Sequence, residues 1–138
     1  MTFRQTALDN RHQLLLSLSY FRRTQNGMGH ADLAEEITQV AIINGFTEQR
    51  TPPKGNTLNS WIRNREVPAW ALKASSLLLL DIPEYQPKSD EESKALALTL
   101  AEAYPLINTP DELVAILANV ASKGCVRYLE EAFQVRKV

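Results

Sequence analysis

Apolar residues recur every three or four positions along most of this chain, and no stretch alternates with the period of two that a half-buried strand requires. The pattern predicts an all-α fold. Leu14, Leu15, Leu18 and Phe21 predict a helix from Asp9 to about Gln25, with Arg22 and Arg23 at its negative end. Asn26-Gly27-Met28-Gly29 breaks it, because Gly and Asn accept turn geometry at little cost. A second helix follows from about Ala31 to Ile43. Leu33, Ala34, Ile37, Val40 and Ala41 form its inner stripe, and Asp32, Glu35 and Glu36 suit its positive end. Asn44-Gly45 closes it.

Residues 47–55, TEQRTPPKG, read as a loop: two prolines remove backbone donors and Gly55 frees the chain before the next helix. Asn56 is placed to cap a short helix running through Ile62. Pro68 then suits the first turn of a fourth helix carrying Trp70, Ala71, Ala74, Leu77 and Leu78. Pro83 and Pro87 mark a linker near 81–89. Ser89 and Glu92 have capping-box spacing ahead of a fifth helix with Leu96, Leu100 and Tyr104 inward, which Pro105 and Asn108 stop. Thr109-Pro110-Asp111-Glu112 repeats the start signal for a sixth helix containing Leu113, Ile116, Leu117 and Val120. Gly124 either caps that helix or lies inside a longer one, and the residues through Phe133 stay helical in pattern. These elements divide into a domain over 1–82 and a C-terminal helical hairpin over 83–138.

The short helix has two unlike faces. Asn56, Asn59, Ser60, Arg63 and Asn64 fall at i, i+3, i+4, i+7 and i+8 on one side, and Leu58, Trp61 and Ile62 on the other. The polar side has no carboxylate. It consists of side chains that hydrogen-bond to base edges: Arg to guanine, Asn to adenine, Ser to either. A merely solvated face more usually mixes Glu and Lys.

Composition bounds the reading. With 138 residues and 44% hydrophobic content, the chain suits one compact domain or a small domain with a helical extension. Apolar runs such as Leu77 to Leu80 fall far short of the roughly eighteen residues of a membrane span. The N-terminus shows no apolar signal core, and the single cysteine, Cys125, rules out an intramolecular disulfide, so a cytoplasmic location is expected. Net charge is −1, yet residues 1–75 hold nine Lys/Arg against six Asp/Glu (+3) and residues 76–138 hold six against ten (−4). Between 50 and 73, Arg50, Lys54, Arg63, Arg65 and Lys73 face only Glu66. The positive charge therefore gathers around the short helix.

Other chemistry-bearing residues have plainer readings. Trp61 and Trp70 lie on apolar stripes and are expected in the core rather than stacked on bases. His12 and His30 lack zinc-ligand spacing, so no metal site is expected. Cys125 reads as a small buried hydrophobe, and Asp90-Glu91-Glu92 as the acidic start of a helix. With no phosphate loop and no nucleophile–base pair, neither an enzyme nor a cofactor is expected.

Residues 30–82 resemble the helix-turn-helix of the Cro/C1-repressor type, common in phage and plasmid regulators. His30-Ala31-Asp32-Leu33-Ala34-Glu35-Glu36-Ile37 resembles its positioning helix, with a Leu-Ala pair packed inward. Thr57-Leu58-Asn59-Ser60-Trp61-Ile62-Arg63-Asn64-Arg65 resembles its recognition helix, with Trp61 as core anchor, and Pro68-Ala69-Trp70-Ala71-Leu72 resembles the packing helix that follows. The resemblance covers about two fifths of the chain. The family joins its two helices by a turn of a few residues, whereas here the stretch from Ile42 to Asn56 is longer and carries both prolines.

The resemblance implies a sequence-specific regulator of transcription that binds double-stranded DNA. Asn56, Thr57, Asn59, Ser60 and Arg63 would contact bases, and Arg50, Lys54, Asn64, Arg65 and Lys73 would contact phosphates. A short recognition helix reads few base pairs, so a homodimer on a two-fold operator is expected. The apolar stripes after residue 89 would either pair two copies or complete the core of one. The rival reading is an all-helical protein-interaction module, an adaptor or anti-activator, which does not bind DNA; the near-neutral charge and the long loop favour it.

Overall fold

Caps and turns set the helix boundaries. A computed structural model describes residues 1–136, which form α1 (Phe3–Asp9), α2 (His12–Asn26), α3 (His30–Ile43), α4 (Gly55–Asn64), α5 (Ala69–Leu80), α6 (Asp90–Ala103), α7 (Pro110–Ile116) and α8 (Leu129–Val135). Two 3₁₀ turns, Ala118–Ser122 and Gly124–Tyr128, join α7 to α8. The described residues contain no strand, so the fold is all-α.

Gly27 (φ 63°) and Gly45 (φ 74°) end α2 and α3 in the left-handed region. Each lets the next amide reach back into the last turn, Met28 to the Arg22 carbonyl at 3.1 Å and Phe46 to the Ala41 carbonyl at 2.8 Å. Ser89 and Thr109 accept from the amides of Glu92 and Glu112, as the capping pattern predicts.

Four boundaries depart from the sequence reading. The helix expected from Asp9 starts only at His12, and an unexpected α1 precedes it: Thr2 caps α1 by accepting from the Gln5 amide at 3.1 Å, and Asn10 ends it. Helix α4 begins two residues early, with Lys54 in the N-cap position and Asn56 already inside the first turn. Pro68 precedes α5 as its N-cap instead of lying inside it. Helix α7 stops at Leu117, whose backbone is non-helical (φ −118°, ψ 79°), and the segment beyond forms two 3₁₀ turns separated by the extended, buried Lys123, which donates to the carbonyls of Ile82 and Tyr85 at 2.8 and 2.9 Å.

Helix α6 sits at the centre, packed against α1, α2, α5 and α8, with every residue from Ala95 to Ala101 buried. One core cluster runs through both halves of the chain, from Leu14, Leu15 and Leu18 through Leu33, Ile37, Leu58 and Leu79 to Leu96, Leu100 and Leu113. Each such leucine contributes about 1.5–3 kcal/mol by leaving water. Of the C-terminal stripes, Leu96, Leu100, Leu113 and Val120 are fully buried within this chain, whereas Ile116 stays 55% exposed.

Candidate nucleic-acid interface

Helix α4 is held by its apolar side. Leu58 is fully buried, and Trp61 and Ile62 pack half-buried against the same core. Leu58 is thus the deep anchor. Trp61 lies at the rim, where it meets Trp70 of α5 edge-to-face, with ring centroids 5.9 Å apart. The helix contacts α3 and α2 on that side.

The opposite side faces solvent. Asn56, Asn59, Arg63 and Asn64 are exposed, and Thr57 and Ser60 are half-buried along the edges. Within the strip Asn64 donates its amide to the Ser60 hydroxyl oxygen at 3.1 Å. The helix has no carboxylate in its first turn, and Arg63 lies in its last, where a cation suits the negative end.

The expected phosphate-binding residues come from three places. Arg50 projects from the loop and lays its guanidinium over the Trp70 ring, 4.5 Å from the centroid, so Trp70 holds a loop cation near α4 by a cation–π contact. Lys54 stands exposed just before α4. Arg65, directly after it, is exposed and adopts φ 58°, ψ 35°, a left-handed geometry usually given to glycine, which allows the Glu66 amide to bond the Trp61 carbonyl at 3.0 Å. Lys73, one turn past Trp70 in α5, is half-buried. Among the described residues none of these cations forms a salt bridge; the ion pairs are Arg22–Glu36 and Arg127–Asp90.

The hand-off between α3 and α4 differs from the short-turn arrangement. A Cβ placed on Gly55 would lie 3.0 Å from the Ala31 amide nitrogen and 3.2 Å from the His30 Cβ. Helix α4 therefore starts beside the start of α3, not beside its end. The 14-residue α3 is about 21 Å long, and segment 44–54 covers that length on its way back. In the sequence Gly55 is visible only as a loop residue; its structural demand is the close approach of two helix starts.

The two histidines stand apart. His30 exchanges a hydrogen bond with Ser19 at 3.0 Å. His12 is held below its ordinary pKa by burial first and by the charge of Arg65 second, against a smaller opposing contribution from the Asp9 backbone. Burial pushes the Cys125 thiol up to about 12, which makes it a poor nucleophile. No group of three or more His, Cys, Asp or Glu among the described residues is placed to hold a metal, and no helix is long and apolar enough to cross a membrane.

No protein-family model matches the chain, and no curated protein or solved structure matches it either.

Proposed function

We propose that this protein is a sequence-specific double-stranded DNA-binding regulator of transcription that presents α4 to the major groove. The observation that carries the reading is the outward strip of α4, Asn56, Asn59, Ser60 and Arg63, which has base-reading chemistry and no carboxylate. The cations around it add support. Arg50, Lys54 and Arg65 are exposed and outside any salt bridge among the described residues, so each can exchange counterions for phosphates. Arg65 also keeps a charged side chain where glycine would fit the backbone better, a local cost of the kind found at functional positions.

In this reading Asn56, Thr57, Asn59, Ser60 and Arg63 contact bases, while Arg50, Lys54, Asn64, Arg65 and Lys73 hold the backbone. The return path of segment 44–54 takes the place of the short turn; it carries Arg50, seated over the Trp70 ring, and ends in Lys54, the N-cap residue of α4. Two copies on a two-fold site would supply the length of sequence that one short helix does not. Their contact would use surface other than Leu96, Leu100, Leu113 and Val120, which are committed to the core.

A salt titration of binding to random duplex DNA tests the proposal. About four phosphate contacts per copy predict a log–log slope near −3.6. Absence of binding at low salt would instead favour the protein-interaction module. Selection from a random DNA pool then reads the operator, and a palindromic product is the expected result.

A further inference from the structure

The C-terminal ends of four helices meet around one cavity of about 450 Å³, on a part of the molecule the DNA reading does not use. Its wall contains the C-cap residue of each: Asn44 of α3, Asp81 of α5, Tyr104 of α6 and Leu117 of α7. Between these ends the lining is aliphatic, with Leu78 and Leu80 nearly buried and Ile116 left 55% exposed. An aliphatic pocket of this size with a few polar groups at its edge has the build of a small-molecule site.

Charge decides which molecule. A helix C-terminus carries the negative end of the backbone dipole, and cations normally gather there. None of these four helices has a basic residue in its last turn, and among the described residues the wall contains no Lys, Arg or His. Two cations approach from outside the cavity. Arg136 donates to the carbonyls of Ala101 and Tyr104 at the end of α6, and Lys123 to those of Ile82 and Tyr85 beyond α5. Among the described residues the ends of α3 and α7 receive no such partner, and Asp81 adds an exposed carboxylate. The Asn119 amide donates to Asp81 Oδ1 at 3.3 Å and so orients that carboxylate at the rim.

We propose that this cavity binds a small organic cation, an aliphatic or aromatic body carrying a protonated amine that pairs with Asp81. The body would lie along Leu77, Leu80 and Ile116, and the amine would meet Asp81 between the ends of α3 and α5.

The test compares three probes of one shape on the full chain: 4-phenylbutylamine, 4-phenylbutanol and 4-phenylbutyrate. Binding is followed through the side-chain amide NMR signals of Asn44 and Asn119. The amine is expected to shift both signals saturably, the alcohol to bind more weakly, and the carboxylate most weakly of all. Asp81→Asn, an isosteric change at an exposed position, should weaken the amine about fivefold, the scale of a strong surface ion pair, and leave the alcohol unchanged. Ile116→Arg, which brings a cation to the rim, should abolish amine binding while the thermal midpoint stays near wild type. Equal affinity for amine and carboxylate, an Asp81→Asn variant that binds the amine like wild type, or shifts that never saturate would each overturn the proposal.

Discussion

The Tyr85 hydroxyl donates to the Glu92 carboxylate across 2.6 Å, and neither side chain reaches solvent. The same carboxylate oxygen accepts from the Ser17 hydroxyl at 3.0 Å. One buried Glu thus ties α2, the 81–89 segment and α6 together. Burial first and the neighbouring carboxylate second push the Tyr85 phenol far above its ordinary range, which favours the protonated, donating form. Tyr85→Phe leaves the carboxylate with one donor fewer and is expected to cost about 1.5–3 kcal/mol. Glu92→Ala strands two buried hydroxyls and should cost roughly 3–5 kcal/mol. Urea denaturation checks both, and a Tyr85→Phe variant as stable as wild type would remove this account.

Gly55 supplies a prediction opposite in sign to helix propensity. Replacing glycine by alanine in a helix normally stabilises by about 1 kcal/mol. Here the added methyl would press on the Ala31 backbone at 3.0 Å, and a helix start cannot swing aside as a flexible side chain can. Gly55→Ala should therefore destabilise by about 1–2 kcal/mol. Thermal denaturation reads the sign directly. A stabilised variant would mean that α3 and α4 part easily and that their contact does not position α4.

Arg65 separates stability from binding. Its left-handed backbone costs about 1 kcal/mol that glycine would not incur, so Arg65→Gly should raise stability by about that amount. In the proposed function the same change weakens DNA binding at every sequence alike. It also bears on His12, whose pKa lies below 6.5 through burial and then through Arg65. As pH falls below 6.5, the unfolded chain takes up this proton before the folded one does, so the stability held above 6.5 is lost down through the folded pKa. Removing Arg65 should move the His12 titration upward and narrow that loss. NMR titration of the imidazole, with urea melts on either side of pH 6.5, measures it; an unmoved His12 titration would show that the charge of Arg65 does not reach the ring.

What the sequence made legible follows from how local each cause is. Gly27, Gly45, Ser89 and Thr109 act within a few residues of themselves, and the helix ends they mark lie where the pattern places them. Thr2 and Gln5 carry a capping signal of the same kind, so α1 was readable in principle; Phe3 and Ala7 then bury its face against α6. The turns at 118–128 were not readable, because Lys123 finds its carbonyl partners about forty residues earlier in the chain. Glu92 shows both cases at once. Its amide takes the predicted cap from Ser89, but its carboxylate turns inward to Tyr85 and Ser17, partners that only the packed fold supplies. For the candidate site, the two faces of α4 could be read from spacing alone. The contacts of Arg50 over Trp70 and of Trp70 edge-on to Trp61 could not, since they join a loop to two helices.

Base reading and phosphate binding leave different signatures, and Arg63 and Lys54 allow them to be told apart. Both are exposed and neither is in a salt bridge among the described residues, so truncation should leave stability within about 0.5 kcal/mol of wild type. Arg63 lies on the strip with Asn56, Asn59 and Ser60, where its fork can address a guanine edge. Lys54 precedes α4 as a point charge with no base-specific geometry. Arg63→Ala should therefore cost about 1–3 kcal/mol on the selected operator and relax preference at one position, with little change on random DNA. Lys54→Ala should weaken operator and random DNA alike and make the salt slope shallower by about 0.9. Competition titrations at three salt concentrations separate the two patterns. If Arg63→Ala instead weakens every sequence equally, that guanidinium holds phosphate and the reading face of α4 shrinks to its amides and hydroxyls.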